Sequence, residues 1–136
     1  MLGLSALLWA GCAGSSPRFT TKANLRDSEH EPVTYRLQGI ASYYANEFHG
    51  RKTANGEIYD MHGLTAAHPT LPFNTKLLVK NLESRKSVIV RINDRGPFKD
   101  NRIIDLSLEA AKQVGLIANG TALVELEIIE LGVIGK

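Results

Sequence analysis

The chain has 136 residues, about one domain's worth, and 43% of them are hydrophobic, which excludes a wholly disordered protein. Its 16 Lys and Arg against 14 Asp and Glu leave a net charge of +2 with no basic run, which argues against nucleic acid as a partner. The single cysteine, Cys12, excludes an intramolecular disulfide and a cysteine metal site, so the domain must be held by its core.

The first eleven residues, MLGLSALLWAG, are apolar but too few to span a bilayer, which takes about 20. They read as the apolar region of a signal peptide. Cys12 follows the small pair Ala10-Gly11, and this resembles a bacterial lipoprotein cleavage site, with Trp9 where such sites usually carry Leu. The resemblance implies a lipidated Cys12 as a membrane anchor. Ala13 in place of Asp implies an outer-membrane lipoprotein facing the periplasm. Residues 13–34 are polar, carry Ser15-Ser16-Pro17, and show no apolar period; they are expected to be a flexible tether.

The domain is expected over residues 35–131. Residues 35–45 (YRLQGIASYYA) read as a strand with a bend or bulge at Gly39. Residues 46–61 read as one long loop with little regular structure, and loops of that length are usually functional. Residues 64–68 form a short apolar piece, followed by a turn at Pro69–Pro72. Residues 75–82 (TKLLVKNL) read as a strand that turns at 83–86 into the central strand VIVRIND, the two pairing as a hairpin. In that central strand Val88, Val90 and Ile92 share one face at period two. The ladder then stops at Asn-Asp-Arg-Gly-Pro, leaving Asp94 at a strand rim between Arg91 and Arg95 in sequence.

Residues 101–106 (NRIIDL) read as another short strand. Ser107 is a good helix N-cap, Glu109 suits the first turn, and Leu108, Ala111 and Val114 form a buried side before Gly115. Residues 121–130 are the last strand, with Val124, Leu126 and Ile128 on one face and Glu125 and Glu127 on the other. Many short strands with one short helix predict a small, mainly β barrel. Tyr43, Tyr44 and Phe48 fit a sugar-stacking platform and a piece of core equally well. His49, His62 and His68 lack tight metal-ligand spacing, so no metal or other cofactor is expected.

Four pieces then fall into order: GRKTANGE at 50–57, AAHPTLPF at 66–73, RINDRGPF at 91–98 and RIIDLS at 102–107. They resemble the rare lipoprotein A family over residues 39–129. The resemblance implies a six-stranded double-psi β-barrel with one or two short helices. It implies a lytic transglycosylase that cuts peptidoglycan glycan strands, preferably those lacking stem peptides, in wall remodelling or daughter-cell separation. Glu57, His68 and Asp94 fall on the family's functional positions. Tyr44, Thr53, Asn55, Arg91, Arg95 and Asp105 are the candidate substrate contacts. The C-terminal SPOR domain of many members is not expected here, which puts septal targeting by that route in doubt.

The chemistry asks for one acid. It protonates the leaving oxygen while the sugar's own 6-hydroxyl closes a 1,6-anhydro ring, and the same group then works as the base. Asp94 is the candidate. Partial burial favours a proton on it, whereas a guanidinium from Arg91 or Arg95 would favour the ionised form. Glu57 would be a second carboxylate, acting on Asp94 by like charge or stabilising an oxocarbenium. His68 would bond a carboxylate or a sugar hydroxyl. Without the resemblance, Glu57 reads as a solvated loop residue and His68 as a satisfied histidine before a turn. Two other functions fit the same residues: a non-catalytic, expansin-like peptidoglycan-binding lipoprotein, and a structural lipoprotein that scaffolds septal proteins.

Overall fold

The computed structural model describes residues 35–99 and 101–133. The expected signal, Cys12 and the tether lie outside them. Six strands run in chain order as β1 (Arg36–Tyr43), β2 (Thr65–Ala67), β3 (Lys76–Asn81), β4 (Ser87–Asp94), β5 (Arg102–Leu106) and β6 (Ala122–Glu130). One helix, α1 (Leu108–Gln113), lies between the last two.

The strands close into a barrel in the spatial order β1-β5-β2-β4-β3-β6. β3 and β4 form the expected antiparallel hairpin, with Leu77 opposite Val90 and Val79 opposite Val88. Two pairs are parallel, β1 with β5 and β2 with β4, and each joins strands far apart in sequence. Closure leaves no free sheet edge, so the backbone of a small chain without disulfides is paired all round.

Period two fills the interior. Val88, Val90 and Ile92 of β4 and Val124 and Leu126 of β6 are buried with Ile104, Leu106, Leu77 and Val79. Ser107 caps α1, its side chain accepting the Ala110 N–H at 3.2 Å. The helix buries Leu108, Ala110 and Ala111, and Val114 and Leu116 continue that apolar side.

Gly39 shows why β1 needs a residue without a side chain. A Cβ there would stand 2.5 Å from Ile103 Cγ2 across the β1–β5 pair. The register of that pair shifts one step later, between Ile40 and Ala41, as the glycine suggested. Residues 46–61 are more regular than expected. They hold a 3-10 turn at Asn46–Phe48 and a hairpin-like bridge between Lys52 and Ile58. The Thr53 N–H donates to the Glu57 carbonyl at 2.7 Å and the Gly56 N–H to that of Thr53 at 3.0 Å, which folds the TANGE piece into a tight turn.

Candidate active site

The alternation that buries Val88, Val90 and Ile92 also carries Asp94, the last residue of β4, to the mouth of the barrel, where it is half-buried. Three donors fix its carboxylate. Oδ1 accepts the backbone N–H of Ala54 at 2.9 Å and of Arg95 at 2.8 Å. Oδ2 accepts the Tyr44 hydroxyl at 2.7 Å. The turn at 53–56 therefore lies against Asp94 as well as presenting Glu57.

Neither flanking arginine turns its guanidinium to Asp94. Arg91 reaches Glu57 in a bidentate pair, Nη1 to Oε1 at 2.6 Å and Nη2 to Oε2 at 2.7 Å. Arg95 donates from Nη1 to the carbonyls of His68 at 3.2 Å and Leu71 at 2.8 Å, and lies 3.9 Å from the Phe73 ring centroid. The feared cation on Asp94 is absent among the described residues because both groups are engaged elsewhere. Arg91 and Arg95 thus serve the frame of the site.

Glu57 is held by more than Arg91. The Asn55 amide donates to its Oε1 at 2.9 Å and the Asn93 amide to its Oε2 at 3.4 Å. Thr53 steadies Asn55 in turn, hydroxyl to Oδ1 at 2.6 Å. The hydrogen bonds from Arg91, helped by those from Asn55 and Asn93, lower the Glu57 pKa to about 2 against the opposing effect of burial. Glu57 is a fixed anion whose charge Arg91 balances, and this offsets the like-charge action on Asp94 that the sequence suggested. Thr53 and Asn55 brace that anion.

His68 Nδ1 accepts the backbone N–H groups of Thr70 and Leu71, each at 3.1 Å. The ring is therefore neutral with its proton on Nε2, and burial followed by the nearby Arg95 charge lowers its pKa. Among the described residues its ring bonds neither Asp94 nor Glu57. Its backbone N–H donates to the Asp94 carbonyl at 3.2 Å, tying the end of β2 to the end of β4.

Asp105 stands on β5 and accepts the Ser42 hydroxyl. The expected aromatic platform divides. Tyr43 packs against the core and lines a separate cavity with Leu108 and Ile117. Tyr44 stays at the site, with ring centroids 5.8 Å from Phe48 and 5.0 Å from Tyr59. Burial, then the hydrogen bond and charge of Asp94, push the Tyr44 pKa well above its ordinary 10, so it remains a donor. Tyr59 was not picked out from sequence. Its signal was the alternation in Glu57-Ile58-Tyr59, which exposes Ile58 and buries Tyr59.

Two cavities meet at Tyr44 and Asp94. One, of about 290 Å³, is walled by Tyr44, Phe48, Arg51, Lys52, Tyr59 and Asp94. The other, of about 320 Å³, runs along Asp94, Arg95, Phe98, Lys99, Arg102 and Asp105. The arrangement is a groove with a fixed carboxylate at its midpoint, aromatic rings along it and a second, charge-balanced carboxylate behind.

The family model described as "Lytic transglycolase" (DPBB_1) matches residues 36–126. The chain is similar to the "Endolytic peptidoglycan transglycosylase RlpA" of Campylobacter jejuni, at 61% identity over 123 residues, covering 90% of this chain and 45% of that protein. It is similar to the protein of the same name from Pseudomonas aeruginosa strain UCBPP-PA14, at 56% identity over 96 residues, covering 71% of this chain and 28% of that protein. The chain thus spans less than half the length of either relative. Among solved structures, Clavibacter michiganensis expansin shares the fold, with a TM-score of 0.60 at 15% identity over 73% of this chain and 52% of that one. The expected mainly β, double-psi barrel is borne out.

Proposed function

The chain belongs to the lytic transglycolase family of double-psi barrels, and from that premise we propose that it cleaves peptidoglycan glycan strands endolytically, leaving 1,6-anhydro-muramyl ends. The observation that carries the reading is the placement of Asp94. It is a half-buried carboxylate, ordered by three donors, at the midpoint of a groove sized for sugar rings.

Asp94 in its protonated form gives its proton to the oxygen that links C1 of MurNAc to GlcNAc, and that C–O bond breaks. The MurNAc 6-hydroxyl attacks C1 and closes the anhydro ring. Its proton passes to the Asp94 carboxylate, which restores the acid; no water is consumed. Because Oδ1 already accepts two N–H groups, Oδ2 is the oxygen that handles the proton, and the Tyr44 hydroxyl rotates as it does so. Glu57, its charge balanced by Arg91, orders the turn at 53–57 whose Ala54 N–H holds Asp94. His68 holds the turn that follows β2, its Nδ1 accepting the Thr70 and Leu71 N–H groups.

We further propose that Cys12 is lipidated and anchors the domain to the periplasmic face of the outer membrane, and that strands without stem peptides are preferred. Palmitate labelling of wild type but not of Cys12→Ala checks the anchor.

Mass spectrometry of peptide-free strands incubated with wild type and with Asp94→Asn tests the activity. Anhydro ends from wild type alone support the reading. Reducing ends indicate a hydrolase. Binding without cleavage leaves the non-catalytic, expansin-like module.

A further inference from the structure

The two arms of the groove differ in their carboxylates: Asp94 lines both, and Asp105 lines only the second. In the first, Arg51 and Lys52 are exposed, and neither has a carboxylate within ion-pair distance among the described residues. Arg51 is set in place: its guanidinium carbon lies 5.2 Å from the Phe48 ring centroid, and its carbonyl accepts the Tyr59 N–H at 2.7 Å. Lys52 is fixed through its bridge to Ile58. Asp94 is the acidic side chain of that arm. The second arm also carries cations, Arg95, Lys99 and Arg102, but the Arg95 guanidinium is engaged with carbonyls, and Asp105 lines that arm in addition to Asp94. An anionic group entering there meets a second carboxylate.

The substrate is charged asymmetrically as well. MurNAc bears a lactyl ether on O3 that is a carboxylate when no peptide is attached and a neutral amide when one is. GlcNAc bears no such group. We propose that Arg51 and Lys52 form the site for the free lactyl carboxylate, seating MurNAc in the arm of Tyr44, Phe48 and Tyr59 and GlcNAc in the arm of Asp105. This rests on the glycan-cleaving reading and adds two things to it: a direction for the strand across Asp94, and residues that select peptide-free strands by charge. A guanidinium and an ammonium recognise a carboxylate through charge-assisted hydrogen bonds, and in an open groove that attraction is screened by salt.

The test measures binding to the Asp94→Asn protein, so that cleavage does not intervene. The probes are peptide-free strands and the same strands with lactyl carboxylates converted to methylamides. The proposal expects the carboxylate strands to bind about tenfold tighter at low salt, with the difference shrinking as salt rises. Adding Arg51→Gln and Lys52→Gln should remove the preference, whereas Lys99→Gln with Arg102→Gln should keep it. Equal binding of both probes to the Asp94→Asn protein overturns the proposal, as does a preference that survives Arg51→Gln and Lys52→Gln. Its failure is separable from failure of the cleavage reading. Wild type that makes anhydro ends equally from both probes refutes charge selection alone. Wild type that makes none, while binding still follows the lactyl charge, refutes cleavage alone. All four side chains are exposed or half-buried on the groove wall, and circular dichroism confirms that each variant keeps the fold.

Discussion

Asp94 and Asp105 are both in register with Ala67, Asp94 on the β4 side and Asp105 on the β5 side, and Ser42 continues the row on β1. Two strand spacings separate the aspartates, about 10 Å between backbones. They line one cavity but are held differently, Asp94 by two N–H groups and a phenol, Asp105 by the Ser42 hydroxyl.

The first prediction follows from that difference. Asp94→Asn removes the acid while keeping its shape, and turnover of peptide-free strands should fall by about 10²–10⁴-fold, the usual worth of a positioned acid–base group. Asp105→Asn leaves all three donors to Asp94 in place and should cost about tenfold or less, by comparison with that range. Rates of anhydro-end formation by the two variants decide. If Asp105→Asn is the more damaging, the proton passes through β5 and the assignment is reversed.

Tyr44 gives the second. Its hydroxyl has stayed protonated because burial and the Asp94 charge both oppose a phenolate. Ultraviolet titration should show Tyr44 ionising well above the ordinary 10, with Tyr59 also raised by its burial, and in Asp94→Asn the Tyr44 step alone should move down. A folded-state pKa above the unfolded one means its stabilising contribution is complete below pH 10 and declines above it. An unchanged titration curve in Asp94→Asn would show that the two groups do not interact.

Much of this was legible in the sequence because it rests on local pattern. Period two gave the inward faces of β4 and β6, Ser107 announced α1, and the resemblance of four short pieces gave the barrel. What could not be read was which side chains meet across long separations. Arg91 lies three residues before Asp94 yet grips Glu57, thirty-four residues away. Alternation does place Arg91 on the opposite face from Ile92, but not whose carboxylate waits there. Tyr43 and Tyr44, adjacent in sequence, serve core and groove because neighbouring residues at a strand end point to opposite sides.

The Glu57–Arg91 pair makes the third prediction. With the Glu57 pKa lowered from 4.5 to about 2, its contribution to stability is present above pH 4.5 and is lost as pH falls toward 2. Both side chains are about one-third exposed, so the loss to folding should be small, about 1 kcal/mol or less. Arg91→Gln should therefore unfold in urea close to wild type yet lose about tenfold or more in turnover, since Glu57 is no longer held. A large drop in stability with activity intact would make the pair a structural clamp instead.

His68 yields the fourth. Its Nδ1 accepts two N–H groups, which a protonated ring does not allow. With the pKa lowered from 6.5, its contribution is present above pH 6.5 and lost as pH falls below the lowered value. Wild type should lose stability on acidification below 6.5 more steeply than His68→Asn. Asn keeps a carbonyl acceptor for the Thr70 and Leu71 N–H groups and does not titrate. Parallel stability curves for the two proteins across that range would remove the histidine from the acid response.

The last prediction concerns the close approach that shapes the barrel beneath the site. Gly39 and Ile103 face each other across β1 and β5, and a Cβ on Gly39 would fall 2.5 Å from Ile103 Cγ2. Gly39→Ala narrows the unfolded ensemble, which on its own stabilises by about 0.4–1 kcal/mol. The overlap should outweigh that gain, since overpacking typically costs about 1–3 kcal/mol. Ile103 is half-buried against the core, so its own truncation to Ala should also destabilise. The pair should not add: with Ile103→Ala present, Gly39→Ala has room and should become neutral or stabilising. A urea-denaturation cycle over the four proteins measures the coupling, expected at about 1 kcal/mol or more. Simple additivity would mean that the glycine is required by the register shift at Ile40 and not by the side chain opposite it.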